Sequence, residues 1–333
     1  MQKKRATSRS IPSHGSFQAD GSQRPVRLSF FNVDLQNANF ETQSSADFTL
    51  GDPMRRLLLT STFTLFTVIA SLAANPTAAS ATWSVIAIDL DTGRVVVSSA
   101  TCVAQGRFAG FPALGLMDIQ AIVVPGIGVA AAQAGVDNTR ENQNLIYEQL
   151  KLGTDPRLIL DMLSEDPSIE RRQFGIIDNQ GRSIGFSGGD NGEASSSIQG
   201  KVPGTRIFYS VQGNILASDQ VVTDAAYALE ATDGDIIDMV MAAMEAADEA
   251  GGDRRCTCET EPVPDASCHS RNAHVAYILA ADPDDREGDS FNNGDYFMYI
   301  DVTDENIETR ENGNPVITLR MRYDAWKEAN SSE

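Results

Sequence analysis

Histidine is nearly missing from this chain: there are three in 333 residues, at positions 14, 269 and 274. A Ser-His-Asp relay therefore has few bases to draw on. Basic charge is also short, with 26 Lys and Arg against 46 Asp and Glu and a formal net charge of −20. The deficit is concentrated after residue 81, where 18 Lys and Arg stand against 41 Asp and Glu. Such a surface repels phosphate backbones and anionic lipid, which argues against nucleic acid as a partner. Residues 82–333 carry no phosphate-cradling glycine loop, no internal repeat and no long linker. Cysteine is limited to Cys102, Cys256, Cys258 and Cys268.

Long apolar runs are absent with one exception. Residues 54–81 read MRRLLLTSTFTLFTVIASLAANPTAASA. Arg55 and Arg56, the apolar stretch from Leu57 to about Ala74, Pro76 and the small residues Ala79-Ser80-Ala81 make the pattern of a secretory signal peptide. The stretch is long enough for an uncleaved anchor, but six Ser and Thr dilute it and a cleavage-like region follows. No cysteine follows the cut, so a lipoprotein anchor is not indicated, and the Arg pair matches a twin-arginine signal poorly. Residues 1–53 are polar and aperiodic, as expected of a disordered upstream extension, with Met54 the better translation start. The expected localisation is secreted or periplasmic.

Cutting after Ala81 makes Thr82 the first residue of a 252-residue mature chain. Ala79 and Ser80 are alternative cut points. A threonine with a free α-amine holds a general base beside its hydroxyl. The amine's ordinary pKa of about 7.7–8.0 leaves it partly unprotonated near neutrality. Its branched Cβ restricts χ1 and helps fix the hydroxyl in one place. The chemistry this predicts is attack on an amide-like carbonyl, formation of an acyl ester on the hydroxyl, and release to water or another acceptor. The plainer reading is that Thr82 merely follows a cut.

The pattern after Thr82 predicts hairpins and paired helices. TWSVIAID (82–89), the LDTG turn and RVVVSSAT (94–101) form a hairpin. If Asp89 faces Arg94, Thr82 stands opposite Thr101 with Cys102 beside it. A strand pair broken at Pro125-Gly126 fits 119–134, and a hairpin across the NQG turn fits 172–188. Strands fit 196–202, 206–213, 273–280 and 295–302. Helical spacing fits 138–151, 156–164, 219–231 and 235–250, and the tail 316–329 is amphipathic. The fold class is α+β with mainly antiparallel sheet, and two sheets packed face to face with helices outside would use every element.

Other segments offer side chains to that chemistry. In YSVQGNIL (209–216) a glycine separates two amides; Asn214 is the candidate oxyanion donor and Gln212 a candidate substrate contact, against a plain Asn-stabilised turn. In AGGDRR (250–255) the glycines end a helix, Asp253 is the candidate to orient the Thr82 amine, and Arg254 the candidate to bind a substrate carboxylate. The alternative there is a salt-bridged helix end. Four cysteines in an exported chain favour two disulfides, with three connectivities open. If Cys102 pairs with Cys256 or Cys258, the bond draws this segment towards Thr82, and Cys268 closes a short loop with the remaining cysteine. Cys256-x-Cys258…Cys268-His269 has the wrong spacing for an ordinary zinc site. The stretch 282–295 places Arg286 where a calcium loop wants Asp or Asn, so a solvated acidic loop is expected instead. No metal and no cofactor are expected.

ATWSVIAIDLDTG (81–93), RRQFGIIDNQGR (171–182), YSVQGNIL and AGGDRR, in that order, resemble the family catalogued as domain of unknown function 1028, which is grouped with the amino-terminal nucleophile (Ntn) hydrolases. The resemblance runs from Thr82 to about residue 280. It implies a four-layer αββα sandwich for an Ntn-hydrolase-like domain over 82–280, with Thr82 in the nucleophile position; residues 281–333 read as an added C-terminal extension packed on that domain. The cysteine-bearing insertion 256–270 departs from the plainer pattern. The function expected is an exported amidohydrolase acting on a small-molecule or peptide substrate, with no membrane association after signal removal and a homo-oligomer left open. The competing expectation is a non-catalytic ligand-binding or structural member of the same fold.

Overall fold

Tight turns place the strands in register. The structure is a computed structural model that describes residues 82–110 and 115–330; the expected extension 1–53 and signal peptide 54–81 lie outside them. β1 (Thr82–Asp89) and β2 (Val95–Thr101) are joined by the LDTG turn, in which Gly93 takes φ 79°. The Asp89 carboxylate accepts from the Asp91 N–H and the Thr92 hydroxyl, and the Asp89 N–H donates to the Arg94 carbonyl. This is an Asx-type turn that closes the hairpin locally. The register puts Thr82 opposite Thr101, as the hairpin reading predicts.

β3 (Ala121–Val124) and β4 (Gly128–Ala134) flank the Pro125-Gly126 turn, and β5 (Arg172–Asp178) pairs with β6 (Ser183–Ser187). β7 (Ser196–Lys201), β8 (Ile207–Asn214), β9 (Val275–Ala281) and β10 (Met298–Val302) complete the strands. They form two sheets, a six-stranded one in the order β10-β9-β2-β1-β8-β7 and a four-stranded one in the order β3-β4-β5-β6, and every pairing is antiparallel. β1 lies between β2 and β8 in the larger sheet. The described residues hold six α-helices: α1 (Leu116–Gln120), α2 (Glu141–Lys151), α3 (Pro156–Leu163), α4 (Gln220–Ala231), α5 (Ile236–Glu249) and α6 (Pro315–Asn330). The first, α1, opens a segment that the sequence assigns entirely to strand.

Alternation along β1 divides its side chains between two environments. Trp83, Val85 and Ala87 join the apolar cluster built with α4, α5 and α6, whereas Ile86 and Ile88 join Val95, Val97, Val129, Ala131 and Ile177 from the two sheets. A third cluster packs α2 and α3 on the four-stranded sheet through Ile146, Leu150, Ile159, Phe174 and Ile176. Each such fully buried side chain contributes on the order of 1.5–3 kcal/mol. Thr82 and Ser84 share the parity of Ile86, so they face the space between the sheets.

The 282–295 stretch is anchored at two of its acids, while Asp284, Glu287, Asp289 and Asp295 are exposed as the solvated-loop reading predicts. Asp282 takes both Nε and Nη2 of Arg94 at 2.6 and 2.8 Å, and Glu287 takes Lys151 Nζ at 2.7 Å and the Tyr147 hydroxyl at 2.9 Å. The segment after 281 continues the main fold, since β10 extends the six-stranded sheet and all described residues fall in one compact unit. No helix among them is long and apolar enough to cross a membrane.

Candidate active site

Between the sheets the packing changes character along the strands. At the Ile86–Ile88 end it is apolar; at the Thr82 end it is a network of amides and hydroxyls. Gln133 on β4 is its hub. Its Oε1 accepts from the Ser84 hydroxyl at 2.7 Å and from Gln120 Nε2 at 2.6 Å, and its Nε2 donates to Gln173 Oε1 at 2.6 Å and to the Thr82 carbonyl at 3.2 Å. Gln173 Nε2 passes on to the Gly213 carbonyl at 2.7 Å, and the Tyr277 hydroxyl donates to Gln120 Oε1 at 2.9 Å. All of these residues are buried. Satisfied networks of this kind specify one geometry, because each member left unpaired in a low dielectric costs about 1–3 kcal/mol.

Thr82 sits at the margin of this network. It is buried at the first position of β1, with Asn214 and Thr101 as its register partners on either side. Its hydroxyl donates to Thr101 Oγ1 at 3.2 Å. Beside it is a cavity of about 20 Å³ lined by Thr82, Thr101, Gln120 and Gln133 together with apolar groups that include Phe108, Ile119 and Val136. Two non-glycine residues there have left-handed backbone: Ala134, in the cavity wall, at φ 71° and Ile215, directly after Asn214, at φ 54°. For a β-branched residue that conformation is a genuine outlier, and such strain clusters at functional sites.

The second approach to Thr82 is from AGGDRR. Gly251 and Gly252 leave α5 with φ 105° and 44°, and a side chain at Gly252 would strike the Trp83 ring. This turn delivers Asp253 to the end of the β1–β2 pair. The carboxylate is fully buried; it accepts from the Cys102 N–H at 2.9 Å, the Arg255 N–H at 3.1 Å, and Arg255 Nε and Nη2 at 3.0 and 2.7 Å. A disulfide joins Cys102 to Cys256 and another joins Cys258 to Cys268. The first ties the Asp253 segment to the residue after Thr101, one of the two arrangements the sequence leaves open. With all four thiols in disulfides, the cysteine cluster has no thiolate to offer a metal. His274 is buried next to the first bond, and its backbone N–H donates to the Thr101 carbonyl at 2.7 Å. Burial, reinforced by Arg271 and Arg255, pulls its pKa down to about 4, so the ring is neutral at ordinary pH.

The sequence candidates thus separate. Thr82, Asn214, Asp253 and the Cys102–Cys256 pair come together at one end of the sheets. Gln212 lies fully buried, with Nε2 donating to Ser84 at 2.6 Å and Oε1 accepting from Ser210 at 2.7 Å within its own sheet, and its amide lies against Gly175 of the facing sheet. Arg254 points to solvent near Glu193 at 3.4 Å, and its neighbour Arg255 is the one on Asp253. Gln120, Gln133, Gln173 and Arg255 are the residues sequence reasoning passed over. The available signal was an amide inside an apolar strand run, as in GVAAAQA (128–134).

The sequence model of a family of unknown function, DUF1028, matches residues 82–260. The crystal structure of a DUF1028 protein from Silicibacter pomeroyi is similar, with a TM-score of 0.51 at 19% identity over 74% of this chain and 89% of that one. A likeness at that identity is one of fold. No curated protein matches the chain.

Proposed function

The chain belongs to the DUF1028 family, and from that premise we propose that it is an exported amidohydrolase of the Ntn type with Thr82 as its nucleophile. The stacking of helices on the outer faces of two antiparallel sheets supports an αββα sandwich of that superfamily. The observation that carries the reading is the place of Thr82. It begins the strand between β2 and β8, its hydroxyl faces the space between the sheets beside a cavity, and the family match starts at the same residue. Cleavage of the Ala81–Thr82 bond by a signal peptidase would free the α-amine.

In the proposed reaction the α-amine takes the proton of the Thr82 hydroxyl as Oγ1 attacks the amide carbon. The Asn214 amide and nearby backbone N–H groups hold the oxyanion. The C–N bond breaks, the amine proton passes to the leaving nitrogen, and the acyl group remains as an ester on Thr82. Water then attacks that ester, giving a carboxylic acid and the free hydroxyl. Asp253, held by Arg255 and the Cys102 N–H, supplies the fixed anion that orients the α-amine.

Two measurements test this. Mass spectrometry of the exported protein should find Thr82 at the N-terminus, and a β-lactone probe should acylate that residue in the native chain but not in Thr82→Ala. An N-terminus at Ala81, Ser80 or upstream, or labelling that survives in Thr82→Ala, would sink the assignment. The tight and largely apolar lining of the cavity favours a second reading, a ligand-binding member of the fold without turnover. Its signature is a mature chain that begins at Thr82 yet resists every acylating probe.

A further inference from the structure

The cavity beside Thr82 is one of three adjoining spaces that share lining residues. It shares Ile119, Ala132, Gln133 and Val136 with a second narrow space, which in turn shares Asp137, Asn142 and Arg172 with an open cleft of about 420 Å³. That volume is within the usual range for small-ligand sites. The cleft lies between the start of α2 and the segment 162–172, and its lining carries four carboxylates: Asp137, Glu141, Glu165 and Asp166. Arg172 is its one lining cation among the described residues, and it is committed, with Nε donating to Asp166 at 2.7 Å and Nη1 to the Gly135 carbonyl at 2.7 Å. The Asn142 amide also donates to Asp166, at 2.7 Å. With that pair neutralised, three negative charges remain.

An independent feature lies further in. Gln143, which lines the narrow space, is 2% exposed. Its Nε2 donates to the Ile119 carbonyl at 3.0 Å, while its Oε1 has no hydrogen-bond partner among the described residues. A buried acceptor in that state is destabilising until a donor reaches it. Net negative charge in the cleft and an unpartnered buried acceptor beside the adjoining narrow space call for the same ligand chemistry. A ligand with N–H donors and positive charge satisfies both, an anion is repelled, and a neutral apolar group leaves Gln143 unpaired.

We propose that this cleft is the subsite for a cationic group of the substrate, a primary ammonium or guanidinium, on a molecule whose amide extends to Thr82. The extension to a substrate rests on the Thr82 reading; the preference of the cleft for cations does not. The test is titration of the full exported protein with Nα-acetyl-lysine methylamide and with its neutral counterpart Nα-acetyl-norleucine methylamide, followed by NMR. The lysine probe should bind at least tenfold more tightly, and Glu141→Gln/Glu165→Gln, two exposed positions whose exchange leaves the core intact, should remove most of that preference. Equal affinities, no saturable binding of the lysine probe, or a preference unchanged in the double variant would each overturn the assignment. β-Lactone labelling of the same samples separates the two ideas. A lysine preference in a chain that never labels keeps the cleft and strikes the nucleophile, whereas labelling at Thr82 without the preference does the reverse.

Discussion

At the residue scale the decisive group beside Thr82 is Asp253. A fully buried carboxylate is tolerated only when its charge is met, and here one guanidinium and two backbone N–H groups meet it. Asp253→Asn keeps the size and one acceptor oxygen but takes away the anion facing Arg255. The expected result is a loss of about 2–4 kcal/mol in urea denaturation together with slower labelling of Thr82. Unchanged stability and unchanged labelling would mean that the charge has no role at this strand end. The motif itself was legible, because Gly-Gly after a helix announces a sharp exit. Which arginine turns inward was not, because consecutive side chains leaving a tight turn point apart and both Arg254 and Arg255 fit the same local pattern.

At the element scale the two sheets meet through the Gln network, and their spacing is set where glycine allows contact. Gly175 in β5 lies against the Gln212 amide of β8, so a methyl group there would run into that amide. Gly175→Ala should cost about 1–3 kcal/mol and lower the melting temperature by several degrees, although alanine suits a strand no worse than glycine. A melting curve that does not move would mean that the sheets have room for a methyl group at this contact. The hairpins were readable from alternation and turn residues, down to Thr82 against Thr101. The network was not readable, because Gln120, Gln133, Gln173 and Gln212 lie far apart in the chain and nothing local marks them as partners.

At the scale of the whole molecule, two buried groups respond to pH in opposite senses. Burial lifts the Asp248 carboxyl to about 6, despite hydrogen bonds from the Asn314 and Asn272 amides. Between about pH 4 and 6 the folded chain holds a proton that an unfolded carboxyl has released, so this group makes stability fall as pH rises. His274, pulled down to about 4, does the opposite. Between about pH 4 and 6.5 the unfolded imidazole holds the extra proton, and stability rises with pH. The two slopes offset each other in the native chain. Asp248→Asn should expose the histidine slope, with stability climbing by up to about 3 kcal/mol from pH 4 to 6.5, and His274→Gln should expose the opposite one. Urea titrations across that range decide the matter; parallel profiles for the two variants would contradict it. Below pH 4 both should weaken, since Arg322 holds Glu311, and Lys151 holds Glu287, below the usual carboxylate range.

What the sequence determined by itself is whatever short-range physics controls: the hairpins and their registers, the helix ends at Asp155-Pro156 and Gly251-Gly252, the acidic surface, and the candidate residues Thr82, Asn214 and Asp253. These follow from side-chain alternation, turn conformations and charge, each contained within about ten residues of chain. Only the tertiary structure decided that Cys102 takes Cys256 rather than Cys258, that Arg255 rather than Arg254 faces Asp253, that Gln212 packs on Gly175 of the facing sheet, and that four carboxylates line one cleft. Each of those choices is made between segments distant in sequence, where local patterns are equally satisfied by either partner and only the packing of one sheet on the other selects between them.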